Sequence, residues 1–293
     1  MLRGAYTAVI TPFKQDGSLD EAALRRIVDF QVNYGIDGIV PCGTTGESPT
    51  LSPDEHKRVV DIVIEQVNGR VLIIAGTGSN STREAVELTR HAKESGAGYS
   101  LQVCPYYNKP TAEGQYKHFA EVADVGLPVI IYNIQGRTGV NIETATLMRM
   151  AQHENIVGVK EASGNLAQMM DVIAERPDGF SVLSGDDNMT YPLMALGGDG
   201  VISVASNIVP DRVHDMVDAA LSGDYEAARR MHYELLPLFK GFFIETNPIP
   251  IKAAMAMAGF CEEVYRLPMC GMRPENRKKL EEICARAGVL NET

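Results

Sequence analysis

The sequence predicts a (β/α)8 TIM barrel at residues 1–223, followed by a C-terminal helical extension at residues 224–293. Eight short apolar, β-branched runs alternate with longer amphipathic stretches. Each run is continuously hydrophobic, which is typical of parallel strands covered on both faces. Eight such units, spanning about 220 residues, match the usual size of this barrel. A doubly wound open sheet is the competing architecture, because periodicity alone does not separate the two.

The eight predicted strands follow one another along the first two thirds of the chain. They are Ala5 to Ile10, Gly38 to Val40, Val71 to Ala75, Tyr99 to Val103, Val129 to Tyr132, Ile156 to Lys160, Phe180 to Ser184 and Gly200 to Val204.

Capping residues mark several of the intervening helices. Asp20, Ser52 and Thr111 each precede a helical pattern, and Ser81 is followed three residues later by Glu84, which predicts a capping box. Several helices are expected to end near a glycine, at Gly35, Gly69 and Gly96.

The last part of the chain contains amphipathic segments without a strand signal. These segments are Asp224 to Lys240, Pro248 to Ala258 and Pro274 to Ala287. We therefore expect a small helical extension that packs on the barrel or on a neighbouring subunit.

Charge and cysteine content exclude several classes of protein. A net charge of -11 argues against a nucleic-acid or anionic-membrane surface, since both need a basic face. The 5 cysteines form no C-x-x-C pair, so neither a disulfide framework nor a zinc site is indicated, and a cytoplasmic location fits best. No run approaches the roughly 20 apolar residues of a membrane span, and no signal peptide is recognised.

The sequence predicts neither a metal nor a cofactor. The 6 histidines show no ligand spacing, and most are expected on helix surfaces. Gly76-Thr77-Gly78 precedes a helix, but Ser81 stands where a dinucleotide fingerprint needs its third glycine. Asp186-Asp187 is interpreted as a helix cap and its neighbour, not as a metal carboxylate pair.

Lys160 is the most informative single residue, because it ends a buried strand and is followed by Glu161-Ala162-Ser163-Gly164. Free lysine amines titrate near 10.4, so only about one in a few thousand is neutral at pH 7, and burial favours the neutral form. A neutral amine attacks a carbonyl and forms a Schiff base. The alternative is a lysine that merely solvates a strand end.

Other polar residues follow predicted strands and point to the same end of the barrel. The glycine-rich loop Gly43 to Ser48 offers backbone N–H groups and two threonine hydroxyls to a small anion, although a tight structural turn is an alternative. Tyr106, Tyr107 and Tyr132 are candidates for a proton relay or for packing. Arg137 is either a bidentate partner for a carboxylate or a solvated loop residue.

An ordered set of motifs resembles the 4-hydroxy-tetrahydrodipicolinate synthase family of pyruvate-dependent class I aldolases, nearly end to end. The motifs are Gly43-Thr44-Thr45-Gly46-Glu47-Ser48, Ala75-Gly76-Thr77-Gly78, Pro105-Tyr106-Tyr107-Asn108-Lys109-Pro110, Tyr132-Asn133, Arg137-Thr138-Gly139, Gly158-Val159-Lys160-Glu161-Ala162, Leu183-Ser184-Gly185-Asp186-Asp187, Gly200-Val201-Ile202-Ser203-Val204 and Asn247-Pro248-Ile249-Pro250.

The resemblance implies a condensation of pyruvate with L-aspartate 4-semialdehyde in lysine and diaminopimelate synthesis. Lys160 corresponds to the imine-forming residue. Thr44, Tyr132 and Tyr107 correspond to a proton relay, in which Tyr107 comes from a neighbouring subunit. That borrowed residue implies at least a dimer, and the family suggests a homotetramer, a dimer of dimers.

The resemblance also implies how the substrates are bound. Thr45, with the backbone near Gly185 and Ile202, corresponds to the pyruvate carboxylate site, and Arg137 to the semialdehyde carboxylate site. The chain has Gln135-Gly136 where the family commonly has Pro-Ser, a difference that bears on aldehyde specificity.

A lysine feedback site of the family is matched only in part. The corresponding residues are Ser48, His56, Asn80, Glu84 and Tyr106, whereas Pro49 and Pro53 depart from the family pattern. Binding of free L-lysine as an effector is therefore a hypothesis.

Two other functions share parts of this pattern. A sibling lyase acting on N-acetylneuraminate or a 2-keto-3-deoxy sugar acid would share Lys160, Tyr132 and Thr45. It calls for neutral hydrogen-bonding groups where Arg137 stands. A non-catalytic protein that binds a keto acid or lysine needs no proton relay, so the combination of Lys160, Tyr107 and Tyr132 argues against it.

Overall fold

Eight parallel strands close into a barrel within residues 1–290, the part of the chain that the computed structural model describes. They pair in sequence order, and β1 pairs with β8. This confirms the predicted (β/α)8 barrel and excludes the open sheet. The strands are β1 (Gly4–Ala8), β2 (Gly38–Val40), β3 (Leu72–Gly76), β4 (Tyr99–Val103), β5 (Val129–Asn133), β6 (Ile156–Glu161), β7 (Ser181–Ser184) and β8 (Gly200–Ser203).

Helices follow every strand. Those described between residues 1 and 290 are α1 (Glu21–Asn33), α2 (Pro53–Val67), α3 (Thr82–Ser95), α4 (Ala112–Ala123), α5 (Gln135–Thr138), α6 (Thr144–Met150), α7 (Leu166–Glu175), α8 (Thr190–Ala195), α9 (Pro210–Leu221), α10 (Tyr225–Gly241), α11 (Ile249–Met257) and α12 (Pro274–Arg286).

The barrel buries apolar side chains on both faces of the sheet, which explains the continuous hydrophobic runs. Side chains that point inward, including Tyr6, Val40, Ile130 and Leu183, form one cluster inside the barrel. Outward-pointing side chains pack against the surrounding helices in two larger clusters.

Closure of the barrel requires glycine where β1 meets β8. Gly200 has φ +146, and a Cβ at this position would lie 1.9 Å from the carbonyl oxygen of Gly4. A larger residue would therefore push the two strands apart and open the seam.

The predicted caps are confirmed at three helices and wrong at one. Asp20 and Thr111 accept hydrogen bonds from the first turns of α1 and α4, and Ser52 forms a capping box with Glu55. Ser81 makes no such bond with the first turn of α3. Its expected partner Glu84 instead accepts a hydrogen bond from the hydroxyl of Ser79, which removes the carboxylate from the capping position.

The C-terminal helices pack on the barrel as expected of an extension. α10 packs against α9 and α8, and α12 packs against both α10 and α11. The boundary between residues 223 and 224 stays a prediction, and residues 291–293 of the predicted extension lie outside the described residues. Over residues 1–290, no helix has the length and hydrophobicity needed to span a membrane.

Candidate active site

A cavity of about 120 Å³ opens at the carboxyl ends of the strands. Loops from at least six strands contribute to its wall, as expected for a catalytic site in this fold. The predicted site residues that line it are Thr44, Thr45, Ser48, Tyr132, Arg137, Lys160 and Gly185.

Lys160 lies near the end of β6 with only 5% of its surface exposed. Strand register places it directly beside Tyr132, because the two residues are paired across β5 and β6. The Nζ atom lies 4.2 Å from the centroid of the Tyr132 ring. The amine of Lys160 and the ring of Tyr132, both predicted site groups, are therefore in contact.

Burial lowers the pKa of Lys160 to about 7, because the charged amine loses its hydration. The carboxylates of Asp187 and Asp186 raise this pKa, whereas Arg137 lowers it. The balance leaves a large neutral fraction at physiological pH, which is the state needed for attack on a carbonyl.

Gly185 is required by the aliphatic part of Lys160. A Cβ at position 185 would lie 2.7 Å from the Cβ of Ala162 and 3.0 Å from the Cε of Lys160. Any larger residue would displace the lysine stem, so this glycine, which follows β7, helps to determine where the amine points.

Tyr132 is held as a neutral phenol that can donate a proton. Its pKa is raised to about 12, mainly by burial, although Arg137 and a hydrogen bond with the Thr44 side chain act in the opposite direction. The hydrogen bond connects the phenol on β5 to the loop after β2, so two of the predicted relay residues are in contact.

Asn247 was not identified from the sequence as a site residue, yet it contacts both substrate-binding candidates. Its Nδ2 donates to the hydroxyl of Thr45 at 3.1 Å, and its carbonyl oxygen accepts from Nη2 of Arg137 at 2.9 Å. Asn247 precedes α11, so the C-terminal extension supplies part of the cavity wall. In the sequence, Asn247 was marked only by its place in the motif Asn247-Pro248-Ile249-Pro250.

The loop after β5 folds into the short helix α5, which begins at Gln135 and ends at Thr138. Arg137 therefore reaches the cavity from a helical turn even though Gln135-Gly136 departs from the family pattern. The wall of the cavity contains two basic side chains, the guanidinium of Arg137 and the amine of Lys160.

Two predicted residues are not brought to the cavity wall. Ile202 is buried in the apolar interior of the barrel. Tyr107 is 90% exposed and has φ +70, a left-handed conformation that is uncommon for a tyrosine. Within a single chain, therefore, Tyr107 is not part of the cavity wall that contains Thr44 and Tyr132.

Asp186 caps the turn that follows β7, as expected. Asp187, predicted only as the neighbour of this cap, makes further hydrogen bonds. The Oδ2 atom of Asp187 accepts hydrogen bonds from the backbone N–H groups of Val204 and Ala205, both at 3.0 Å. Burial raises the pKa of Asp187 to about 6. This carboxylate connects the ends of β7 and β8 and lies near the amine of Lys160.

The residues of the possible lysine site surround a second cavity of about 230 Å³. Ser48, His56, Glu84 and Tyr106 line it, and Asn80 lies beside it with its Nδ2 donating to the backbone oxygen of Tyr106 at 3.3 Å. Pro49 and Pro53 are also in the wall. A third cavity shares Ser48 and Tyr106 with this one, and Thr44 and Arg137 with the first.

The expectation that most histidines lie on helix surfaces is wrong. His56, His118 and His232 are buried, and the other three are only partly exposed. His56 uses Nε2 to contact the carbonyl oxygen of Gly76 at 2.8 Å, and such internal partners explain its inward position. In the described range 1–290, no group of three or more His, Cys, Asp or Glu side chains is arranged to hold a metal ion.

Comparison with known proteins identifies one family over almost the whole chain. The profile of the "Dihydrodipicolinate synthetase family" matches residues 1–287. The 4-hydroxy-tetrahydrodipicolinate synthase of Koribacter versatilis (strain Ellin345) is 55% identical over 291 residues, covering 99% of this chain and 97% of that protein.

Solved structures agree with this match. The dihydrodipicolinate synthase of Aquifex aeolicus superposes with a TM-score of 0.97 at 49% identity, covering 99% of this chain and 100% of the other. The Acinetobacter baumannii enzyme, solved in complex with pyruvate, has a TM-score of 0.97 at 40% identity, with 99% and 100% covered. The Cyanidioschyzon merolae enzyme, solved with lysine bound, has a TM-score of 0.95 at 38% identity, with 98% and 99% covered.

The lowered pKa of Lys160 predicts how its reactivity depends on pH. The rate of imine formation with a small keto acid should rise as the pH increases through about 7 and level off above it, because the neutral amine is the reacting form. At pH 6 only about one tenth of the amine is neutral, so the rate should fall correspondingly. Borohydride trapping at short times measures this rate.

Asp187→Asn provides the matched comparison. Removing this negative charge should move the midpoint of the same curve to lower pH, because the Asp187 carboxylate raises the pKa of Lys160. A wild-type midpoint above pH 9, or a midpoint that is higher in the variant than in the wild type, would contradict a lowered pKa at Lys160 set in part by Asp187.

Proposed function

Because the chain belongs to the dihydrodipicolinate synthetase family and catalyses the condensation of pyruvate with aspartate semialdehyde in lysine biosynthesis, we propose that Lys160 is its Schiff-base residue. The single observation that carries this role is a buried amine, with a pKa lowered to about 7, in the wall of a small cavity at the catalytic end of the barrel. No metal or cofactor enters the proposed chemistry.

The proposed reaction divides carbon–carbon bond formation into two stages. The neutral Nζ of Lys160 attacks the keto carbon of pyruvate, and loss of water leaves an imine. Loss of a proton from the methyl group then converts the imine into an enamine, whose carbon attacks the aldehyde. Each stage transfers protons to or from oxygen, which a positioned phenol and hydroxyl can do.

Tyr132 and Thr44 are the proposed proton carriers beside the imine. The contact between the Tyr132 ring and Lys160 Nζ supports this role, as does the hydrogen bond of its phenol with Thr44. Tyr107 is the proposed third member, supplied by a neighbouring subunit. Its high exposure and its absence from the cavity wall support a function across a subunit boundary.

The substrates are proposed to lie between a hydroxyl loop and a guanidinium. Thr45, with backbone near Gly185 and Ile202, holds the pyruvate carboxylate, and Arg137 holds the carboxylate of aspartate semialdehyde. A cation in the wall suits a small dicarboxylate product better than a polyhydroxylated sugar acid, which supports the synthase over the sibling lyases. The Acinetobacter baumannii relative, solved in complex with pyruvate, supports pyruvate as the keto-acid substrate.

We further propose that the protein is cytoplasmic and assembles as a homotetramer, a dimer of dimers. All 5 cysteines are free in the described part of the chain, which fits a reducing compartment. Assembly is supported by the exposed ring of Tyr107 and by the exposed apolar side chains of Leu166 and Met170 on α7.

The Schiff base can be detected directly. Incubation with pyruvate and borohydride, followed by peptide mass mapping, should place a reduced adduct on Lys160 and on no other lysine. Lys160→Ala should abolish the adduct and reduce turnover by more than 1,000-fold, a loss on the order expected for a covalent catalyst. Lys117→Met, which removes an exposed lysine on α4, serves as the comparison and should still form the adduct on Lys160.

The contribution of Tyr107 can be measured in mixed oligomers. Tyr107→Phe should lower turnover at least about 10-fold, as should Tyr132→Phe, because each removes a proton carrier. Mixing Tyr107→Phe subunits with Lys160→Ala subunits should raise the activity above the sum of the two parents. At an interface between the two variants, one site combines Lys160 of the Tyr107→Phe subunit with Tyr107 of the Lys160→Ala subunit.

An absence of recovery after subunit exchange would show that Tyr107 acts within its own chain or not at all. Exchange itself is verified by mass spectrometry of differently labelled subunits. The same exchange with Tyr132→Phe in place of Tyr107→Phe should give no recovery, since Tyr132 belongs to the same chain as Lys160.

The second cavity is proposed to bind free L-lysine as a feedback inhibitor, as the lysine-bound relative from Cyanidioschyzon merolae suggests. Ser48, His56, Asn80, Glu84 and Tyr106 are the proposed contacts, with Glu84 as the partner of an ammonium group. Millimolar lysine should lower the initial rate, and Glu84→Gln should weaken the inhibition at least about 10-fold. Unchanged rates at millimolar lysine in the wild type would refute the proposal.

A further inference from the structure

A buried ion pair lies directly behind the loop that carries Thr44 and Thr45. The Nζ atom of Lys252 donates to Oε1 of Glu47 at 2.5 Å, and their side chains are 0% and 1% exposed. Lys252 belongs to α11 and Glu47 to the loop after β2, so the contact joins positions separated by 205 residues. Neither residue lines the catalytic cavity.

The pair is enclosed by aromatic rings and by one arginine. Lys252 Nζ lies 4.1 Å from the centroid of the Phe13 ring, and the Tyr265 ring lies on another side at 5.6 Å. The backbone N–H of Arg266 lies 3.4 Å from Oε2 of Glu47. The Arg266 guanidinium also donates to the carbonyl oxygen of Thr50 at 2.9 Å, just beyond the loop. The C-terminal extension thus holds the outer side of the loop at more than one point.

The backbone of the loop is folded tightly around Glu47. Glu47 has φ +52, in the left-handed region that residues with a side chain rarely adopt. Its backbone N–H donates to the carbonyl oxygen of Thr44 at 3.1 Å, so the position of Glu47 is transmitted directly to the threonine. The carbonyl oxygen of Gly46 is held by the hydroxyl of Thr11 at 2.7 Å.

The same segment of the extension contacts the loop from the cavity side as well. Asn247 donates to the Thr45 hydroxyl, and Lys252 holds Glu47 from behind. The loop is therefore held between two residues, Asn247 and Lys252, that are only five residues apart in sequence. A buried ion pair is weak evidence for a stabilising role, since well-packed apolar replacements often stabilise a protein as much or more. The position of the ion pair behind the loop is better explained if the pair fixes where the loop lies.

We propose that Lys252 and Glu47 form a positioning pair, through which the C-terminal extension sets the placement of Thr44 and Thr45 in the active site. This inference rests on the roles proposed above for those two threonines. The pair touches no substrate. It acts by fixing the hydroxyls that bind the pyruvate carboxylate and contact the Tyr132 phenol.

The double variant Lys252→Met with Glu47→Gln tests the pair. It removes both charges and keeps side chains of similar size, so no unpaired charge is left buried. At saturating pyruvate, borohydride should still trap every subunit, which counts the folded sites. Per trapped site, kcat/KM for pyruvate should fall 10- to 100-fold, because small displacements of binding groups have effects of about this size. A raised KM for pyruvate should account for at least part of the loss.

The Arg176–Asp199 pair, at the amino-terminal end of the barrel, supplies the matched control. It is largely buried and remote from the cavity. Arg176→Met with Asp199→Asn should leave the kinetics per trapped site unchanged, whatever its effect on Tm. Equal kinetic losses in the two double variants would overturn the proposal, as would wild-type kinetics, or failure to fold, in the Lys252 and Glu47 variant.

Thr45→Val separates this inference from the function on which it rests. A wild-type pyruvate KM in Thr45→Val contradicts the role proposed for the loop, and the positioning pair falls with it. A raised KM in Thr45→Val, together with wild-type kinetics in the Lys252 and Glu47 double variant, contradicts the positioning pair alone.

Discussion

Closure of the parallel sheet through the pairing of β1 with β8 determines where every site residue lies. In a closed parallel barrel all strands end at the same rim, so side chains from the ends of β2, β5, β6 and β7 converge although they are far apart in sequence. The register between β5 and β6 then sets Tyr132 beside Lys160. At this rim only 5% of the Lys160 surface is exposed, and this burial lowers the lysine pKa.

Local sequence patterns predicted the strands of the barrel and the polar residues at their carboxyl ends. Continuous apolar runs are a direct result of strands buried on both faces, so eight of them predicted the barrel. A polar residue at the end of such a run must lie at the rim, and this placed Lys160, Tyr132 and the loop containing Thr44 at one end of the molecule. No long-range information was needed for these assignments.

Residues whose roles depend on distant partners were missed or misassigned. Asn247 and Lys252 lie in a segment that the sequence pattern predicts only as an amphipathic helix and its approach. Their partners Thr45 and Glu47 are more than 200 residues away. Ser79 competes for Glu84, which removes the predicted capping box at Ser81. Most histidines were expected on helix surfaces, but His56, for example, packs inward, where the carbonyl oxygen of Gly76 is its partner. Periodicity carries no information about such contacts.

The separation of 205 residues between Glu47 and Lys252 has a consequence for synthesis of the chain on the ribosome. Domains generally fold from the N-terminus as translation proceeds at about 5 to 20 residues per second, so the loop emerges roughly ten seconds or more before α11 exists. Nascent chains that already display Lys160 still lack Asn247 and Lys252. Synthesis of the segment from Asn247 to Lys252, and not of the reactive amine, is thus the step that supplies the last of these pocket contacts.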